Sequence, residues 1–415
     1  MTITTTVRTD EAVAVPDDLT LYYDPLSYAD YDHPYELFKR LRDEAPVYYN
    51  ARRDLYIVSR YADVRAAMND HERLSNAKGN DVDGTHDSYG EGMLVTVDPP
   101  RHTALRAAIR RTFSARAIMA QEEGVRAFAK ELVAGLREEG GGDFATQAAI
   151  PMGIGMGMML LGAPEEDRPV LVAHLERAME RVVGEYGVPE DAAAANRETE
   201  EILAERFAER RAQIDAGAST KSSDAYTQVL LGVHAGKVFP SEQDGLAHLV
   251  LSAASDAPSA LLTNCVAVLD KFPALQDFLR RHPTMIPQFI EETLRYDTPG
   301  QNISRQTTAE IEIAGTRIPE DSRVMLLQGS ANRDERIYPD PDRFNLTREF
   351  TPANRILSFG DGIHACMGAP FARLAARVVL EELLQGPDFH IAGIPERWKK
   401  QLVRGFSSLP IRFDG

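Results

Sequence analysis

The chain has 415 residues, 43% of them apolar and 26% charged, which excludes a mainly disordered protein and allows a large buried core. A total of 63 acids against 46 bases gives a net charge of −17. That balance does not suit general nucleic-acid binding, because phosphates call for excess Lys and Arg.

No uninterrupted run of about 18 apolar residues predicts a membrane span. The opening residues MTITTTVRTDEAVAVPDD lack the basic-then-apolar pattern of a secretory signal. Two cysteines, Cys265 and Cys366, cannot build a disulfide framework, so a reducing, cytoplasmic setting is expected.

Residues 1–18 are Thr-rich and then acidic, without a period. They predict a loose tail ahead of one domain over 19–415. Pro34 opens a helical pattern in which Leu37 and Leu41 recur four apart. VYYN and LYIVSR read as short strands around a turn at 51–54. Helical periodicity then covers 61–69, 101–113, 115–137, 147–159, 168–185 and 191–216. Gly140–Gly142 breaks two of these helices, and 217–224 is a polar connector.

A long helix is expected from Ser241, a capping residue, to about Phe272. At ~1.5 Å per residue it spans roughly 45 Å. Strand signals return in EIEIAGTRI and SRVMLLQG, and the last helix is predicted over 371–384. Helix outweighs strand, and the strands sit early and late. The expectation is a mainly α fold with small β-sheets rather than alternating βα units.

Chemistry concentrates at Cys366. The run Phe359-Gly360-Asp361-Gly362-Ile363-His364-Ala365-Cys366-Met367-Gly368 places glycines before the cysteine. Glycines there allow positive φ and leave backbone N–H groups free to point inward. At the start of a helix such donors favour a thiolate. No CxxC partner is present to make a zinc site. A lone thiolate can instead be the axial ligand of haem, where it favours O–O cleavage. Cys265, inside an apolar helical stretch, reads as packing.

FGDGIHACMG is similar to the haem-binding signature FGxGxHxCxG of the cytochromes P450, and the likeness extends over roughly residues 20–413. The resemblance implies haem b ligated by Cys366 and lying between the long helix and the cysteine loop. It also assigns Phe359, Gly360 and Gly368 to the haem-binding loop. Glu292-Thr293-Leu294-Arg295 resembles the family's ExxR helix motif, whose members share a helix face and can pair. In the family this pair locks a segment carrying an arginine, here matched by Arg343. His102 and Arg106, four apart at the start of the 101–113 helix, match propionate contacts, as do Arg305 and His364. A dianionic porphyrin edge buried in protein requires such groups.

One stretch departs from the family pattern. The long helix usually carries a Gly, an acid and a Thr over the haem. Here the run is Ala253-Ala254-Ser255-Asp256-Ala257-Pro258. Asp256 keeps the acid, but the Thr is Ala257 and a proline follows. Pro258 has no N–H, so the Ala254 carbonyl loses its usual partner, and Ala257 is biased away from helical geometry. The expectation is a fixed opening of the helix at 254–257, with the free carbonyl holding a water or a substrate hydroxyl. In the family the Thr helps deliver protons during oxygen activation. Ala257 cannot, so Asp256 with ordered water, or a polar group of the substrate, is expected to do so.

The resemblance further implies a monooxygenase of the soluble bacterial type. Its electrons are expected to come from NAD(P)H through a separate ferredoxin reductase and ferredoxin. Arg101, Arg106, Arg110, Arg111, Arg116, Arg373 and Arg377 form a basic cluster suited to steering an acidic ferredoxin. The expected substrate pocket draws on Met93, Leu94, Ala253, Ala257, Gln301, Asn302, Ile303 and Phe406, mostly apolar with a few polar groups. The stretches at 329–334 and 404–410 are similar to members that O-demethylate para-substituted benzoates. The expected reaction is hydroxylation or O-demethylation of a small aromatic acid or phenolic ether. The alternatives are tailoring of a larger natural product with substrate-assisted proton delivery, or a peroxide-driven or radical-coupling haem-thiolate reaction.

Overall fold

Tyr35–Glu44, the first helix, buries Phe38, Leu41 and Arg42 along one side. This is how most of the chain folds: a periodic apolar stripe forms a helix and turns inward. The computed structural model describes residues 21–28 and 31–414; the loose tail expected at 1–18 lies outside them. Helices dominate, as expected, with small sheets at the edges. The 61–69 helix falls where the periodicity places it.

Several expected helices differ in extent, two of them clearly. The 115–137 segment divides at Gln121, because Ser114 caps a first short helix by accepting the Ala117 N–H at 3.3 Å. The 168–185 segment stops at Ala178, short of Gly184 and Gly187, which carry positive φ. Gly141 does break the helices, but it then enters a strand, Gly141–Asp143, paired with Pro410–Phe413. A Cβ there would sit 2.4 Å from the Ile411 carbonyl oxygen, so only glycine allows this approach.

The largest sheet has five strands in the order Val47–Asn50, Leu55–Val58, Arg323–Leu326, Ile303–Thr307, Leu74–Ser75. Only the Leu55–Val58 and Arg323–Leu326 pair is parallel. The Ile303–Thr307 strand gave no clear alternation, because an arginine, Arg305, is among its buried residues.

The long helix runs over Gln243–Lys271 through the centre of the protein. Ser241 is not its cap. A short turn at Pro240–Glu242 precedes it, and the Glu242 carboxylate accepts the Phe239 N–H at 2.7 Å. By length and composition 240–271 could cross a membrane, yet 72% of its most apolar window is buried within the fold. It is the core helix of this protein.

The expected opening at Ala254–Ala257 is absent, and the helix continues unbroken through Pro258. Packing on the neighbouring helix Ile150–Leu161 holds it. A Cβ on Gly153 would meet the Ser255 carbonyl oxygen and one on Gly157 would meet Leu251. Ser259 Oγ lies 2.6 Å from the Ser255 carbonyl and 2.9 Å from that of Ala149. Contacts on this scale offset the one hydrogen bond that the proline removes.

Candidate active site

The cysteine loop is built from short-range hydrogen bonds. Gly360 and Gly362 take φ of 68° and 70°, as the sequence predicts. The Cys366 N–H then reaches the Phe359 carbonyl at 2.9 Å and the Ala365 N–H reaches that of Gly362 at 3.1 Å. Asp361 anchors the loop from outside through Arg65 at 2.9 Å and Arg355 at 3.2 Å. The Arg373 guanidinium lies 4.4 Å from the centre of the Phe359 ring.

Cys366 is deep in the fold but presents its surface to an internal cavity. Amides of Gly368 and Ala369 and the charges of Arg106 and Arg373 favour its thiolate, yet burial outweighs them and pushes the thiol up. The backbone donors expected from the sequence are in place. They do not suffice alone; a coordinated metal ion deprotonates such a thiol outright.

The cavity has a volume of about 300 Å³. Cys366, Phe359, Gly360 and Gly368 line one side, and Ala253, Ala254, Ala257 and Pro258 of the long helix line the other. Leu94, Asn302, Ile303, Arg106, Arg305 and His364 complete much of the wall.

Arg305 is buried and donates to the Ser304 carbonyl at 2.7 Å. Arg106 donates to the Ala365 carbonyl at 2.7 Å. Among the described residues neither has a carboxylate partner. Burial pushes the Arg305 guanidinium down to about 10. The His102 and His364 rings meet at a tilt of 52° with centres 4.3 Å apart, and both Nε2 atoms are buried without a partner. Burial, with the neighbouring cations, pushes His364 down to about 3.

One buried and one half-buried guanidinium without an ion-pair partner and two unsatisfied imidazole nitrogens are costly unless a dianionic group meets them. Haem, with its two propionates, fits this set, and Cys366 would hold its iron. His102 does not itself line the cavity; its ring lies against that of His364.

Several expected pocket residues lie elsewhere. Met93 is buried outside the cavity. Its carbonyl takes the Thr96 N–H at 2.9 Å, which sets a tight turn in which Leu94 and Val95 face inward. Phe406 packs in the core under the Arg397 guanidinium, 3.9 Å from its ring centre, and Leu402 lines the cavity instead. Gln301 also stays outside, with its amide nitrogen donating to the Thr298 carbonyl at 2.6 Å. Leu249, Val250 and Leu261 join the wall. Their three- and four-residue spacing from Ala253 and Ala257 was the signal that could have found them.

Asp256 faces away from the cavity. Its Oδ2 meets Lys400 Nζ at 3.1 Å, and it lines a separate small chamber with Thr85, Tyr89, His248 and Ser252. Its Oδ1 accepts the Ala257 N–H at 2.7 Å, so it touches the backbone that lines the cavity.

Glu292 and Arg295 form a fully buried pair, with Nη2–Oε1 at 2.7 Å and Nε–Oε2 at 2.8 Å. The third member of the cluster is Arg348, 3.3 Å from the Glu292 carboxylate. Arg343 is exposed, and only its backbone carbonyl takes part, accepting from Arg295 at 3.3 Å. The Asn345 N–H donates to Glu292 at 2.8 Å, and this turns the chain so that residue 348 points inward.

The basic cluster is largely neutralised. Arg101 pairs with Glu242, Arg373 with Glu291, and Arg377 with Glu122 and Glu381, while Arg106 faces the cavity. Among the described residues Arg110, Arg111 and Arg116 keep no carboxylate partner.

A family model described as Cytochrome P450 matches residues 264–410. A Putative cytochrome P450 123 of Mycobacterium tuberculosis is 32% identical over 405 residues, covering 95% of this chain and 97% of that protein. The crystal structure of CalO2 superposes with a TM-score of 0.84 at 26% identity, covering 95% of this chain and 99% of that one. A mutant of P450 EryK in complex with erythromycin B gives 0.82 at 28% identity, covering 94% and 98%.

Proposed function

The chain belongs to the cytochrome P450 family, whose members are haem-thiolate monooxygenases, and from that premise we propose that it oxidises a small, largely apolar organic molecule by hydroxylation or oxidative O-demethylation. The observation that carries this reading is the cavity itself. Cys366 closes one side, apolar residues of the long helix close the other, and unpaired Arg106 and Arg305 stand at its edge.

Cys366 would hold haem b, which would supply the redox chemistry that activates O₂. Arg106, Arg305, His102 and His364 would hold its propionates. Leu94, Ala253, Ala257 and Ile303 exclude water from the reacting carbon. Asp256 receives protons from its chamber and passes them along the Ala257 backbone side, aided by water or by the substrate. In O-demethylation the hydroxylated methyl carbon forms a hemiacetal, which collapses to an alcohol and formaldehyde.

Electrons reach the protein from NAD(P)H through ferredoxin reductase and ferredoxin. Arg110, Arg111 and Arg116, the uncompensated part of the basic cluster, support an acidic partner there. Two free cysteines suit a reducing cytoplasm.

A second reading, tailoring of a larger natural product, is favoured by Ala257 and Pro258, which leave the cavity without the usual hydroxyl. The test is NADH-driven turnover with a ferredoxin and its reductase on para-propylanisole, assaying formaldehyde and hydroxylated product. Coupled product formation is expected. NADH consumption without either product would sink the small-ether reading, and faster turnover with hydrogen peroxide alone would sink the ferredoxin route.

A further inference from the structure

The small chamber behind the long helix holds proton-exchanging groups beyond Asp256 and Lys400. Most polar side chains there are engaged. His174 meets Thr199 Oγ1 at 3.1 Å through Nδ1 and Glu198 at 3.2 Å through Nε2. On the long helix, Ser255, Ser259 and Thr263 fold their hydroxyls back onto helix carbonyls at 2.6, 2.6 and 3.1 Å. Ser252 does not. Among the described residues its Oγ has no hydrogen-bond partner, and it keeps surface open to the chamber.

His248 also has a free nitrogen. It is buried, and its Nδ1 lies 3.1 Å from Glu200 Oε1. That hydrogen bond holds the Glu200 carboxyl below its ordinary range, so Glu200 is ionised and Nδ1 carries the proton between them. Nε2 is left for the chamber, without a partner among the described residues and not sealed from it. The Tyr89 ring meets the imidazole edge to face, 5.6 Å between centres, and fixes its plane. Burial, with Asp256 adding to it, keeps the Tyr89 phenol protonated, so Tyr89 is not the proton source.

His248, Ser252 and Asp256 are four residues apart and stack on one helix face, with ~6 Å of rise between neighbours. Leu249, Val250, Ala253 and Ala257 of the same helix line the cavity above Cys366 instead. The chamber has a volume of about 30 Å³, enough for a water, which needs about 10–15 Å³. At its outer end the Glu200 side chain is 27% exposed.

We propose that His248 and Ser252 supply Asp256 with protons, with Glu200 as the positioning residue that orients the imidazole. The Nε2 proton of the His248 imidazolium passes to Ser252 Oγ as the hydroxyl's own proton moves on, across a water, to the Asp256 carboxylate. Both Asp256 oxygens are engaged, by Lys400 and by the Ala257 N–H, yet each keeps a second lone pair. The imidazole left behind is neutral, with its Nδ1 proton still facing Glu200, and it regains the Nε2 proton from solvent between turnovers. This inference rests on Asp256 as the acid that delivers protons and extends its route outward.

The test uses the haem-loaded protein with ferredoxin, its reductase and para-propylanisole, following NADH consumption and released peroxide in light and heavy water. Ser252→Ala and His248→Gln are each expected to slow NADH consumption by about tenfold, a fraction of the ~10²–10⁴ that positioned proton transfer supplies. A larger solvent isotope effect and more peroxide per NADH are expected with it. Ser252→Thr, which keeps a hydroxyl, is expected to recover most of the rate lost in Ser252→Ala. Ser252→Ala carries this arm alone if His248→Gln does not fold. A second arm needs no turnover: nitrogen-15 NMR of the reduced, carbon monoxide-bound protein labelled at histidine. His248 is expected to show a protonated Nδ1, and its Nε2 signal is expected to shift in Ser252→Ala.

Unchanged rate and isotope effect in both variants, or an Nε2 signal indifferent to Ser252→Ala, would overturn the relay. Asp256→Asn is measured in parallel. If it alone slows turnover, the relay fails and the role of Asp256 stands; if it too has no effect, both fail. The Soret band of the carbon monoxide complex reports thiolate ligation, so a failure of the haem-thiolate reading is seen separately.

Discussion

Lys400 Nζ stands 3.1 Å from Asp256 Oδ2, with side-chain exposures of only 7% and 12%. A residue of the C-terminal loops thus neutralises the acid of the long helix across the fold. Breaking a buried pair from one side leaves the other charge unpaired, at about 3–5 kcal/mol. Lys400→Met is therefore expected to lower unfolding stability by that order, and Lys400→Met with Asp256→Asn to recover much of it. Denaturant unfolding of the two single variants and the double variant measures this. Additive losses would remove the pair as a stabilising unit. In coupled turnover, Asp256→Asn is expected to shift electrons from product to peroxide; full coupling would end its proposed proton role.

The Glu292–Arg295–Arg348 cluster separates two arginines that the sequence alone confuses. Arg348→Ala removes a buried partner of Glu292 and is expected to cost about 2–4 kcal/mol, with reduced haem retention. Arg343→Ala alters an exposed side chain and is expected to stay within about 0.5 kcal/mol. The reverse ranking in thermal unfolding would return the role to Arg343.

Cys366→Ser keeps the loop's size but removes the thiolate. Haem content is expected to fall, and the Soret band of the reduced carbon monoxide complex is expected to move to shorter wavelength. An unchanged band would mean that another residue ligates the iron. Gly362→Ala attacks the same loop mechanically. At φ of 70° its Cβ would sit 2.7 Å from the Met68 carbonyl oxygen, and a loss of about 1–3 kcal/mol is expected.

His86 gives a pH dependence of defined sign. Its Nδ1 lies 3.0 Å from Asp81 Oδ1, and this hydrogen bond, against opposing burial, holds the imidazole above its ordinary 6.5. Asp87 adds to the shift and Arg323 opposes it. A raised histidine contributes stability that is fully present below the unfolded value of 6.5. That stability is lost as pH rises through the folded value. Melting of the unaltered protein and of His86→Gln is compared from about pH 5 to 9. The advantage of the unaltered protein is expected to be largest in acid and to vanish in alkali. A difference constant across the range would exclude the linkage.

The sequence by itself determined the mainly α architecture and the thiolate loop, because both depend on neighbours in the chain. Helical stripes such as 61–69 follow local periodicity. Gly360, Gly362 and Cys366 lie within seven residues, so their turn is set by their own backbone freedom. The tertiary structure decided which side chains meet. Arg348 and Lys400 find Glu292 and Asp256 across 56 and 144 residues, and nothing local indicates which arginine turns inward. Met93 and Phe406 are as apolar as Leu94 and Leu402, yet the turns around them place only the latter pair on the cavity wall. Pro258 shows the same division. Its missing N–H is a local fact, but packing against Gly153 and Gly157 decided that the helix would stay whole. Hydrogen-bonding capacity belongs to each residue, whereas the direction of a side chain is chosen by everything packed around it.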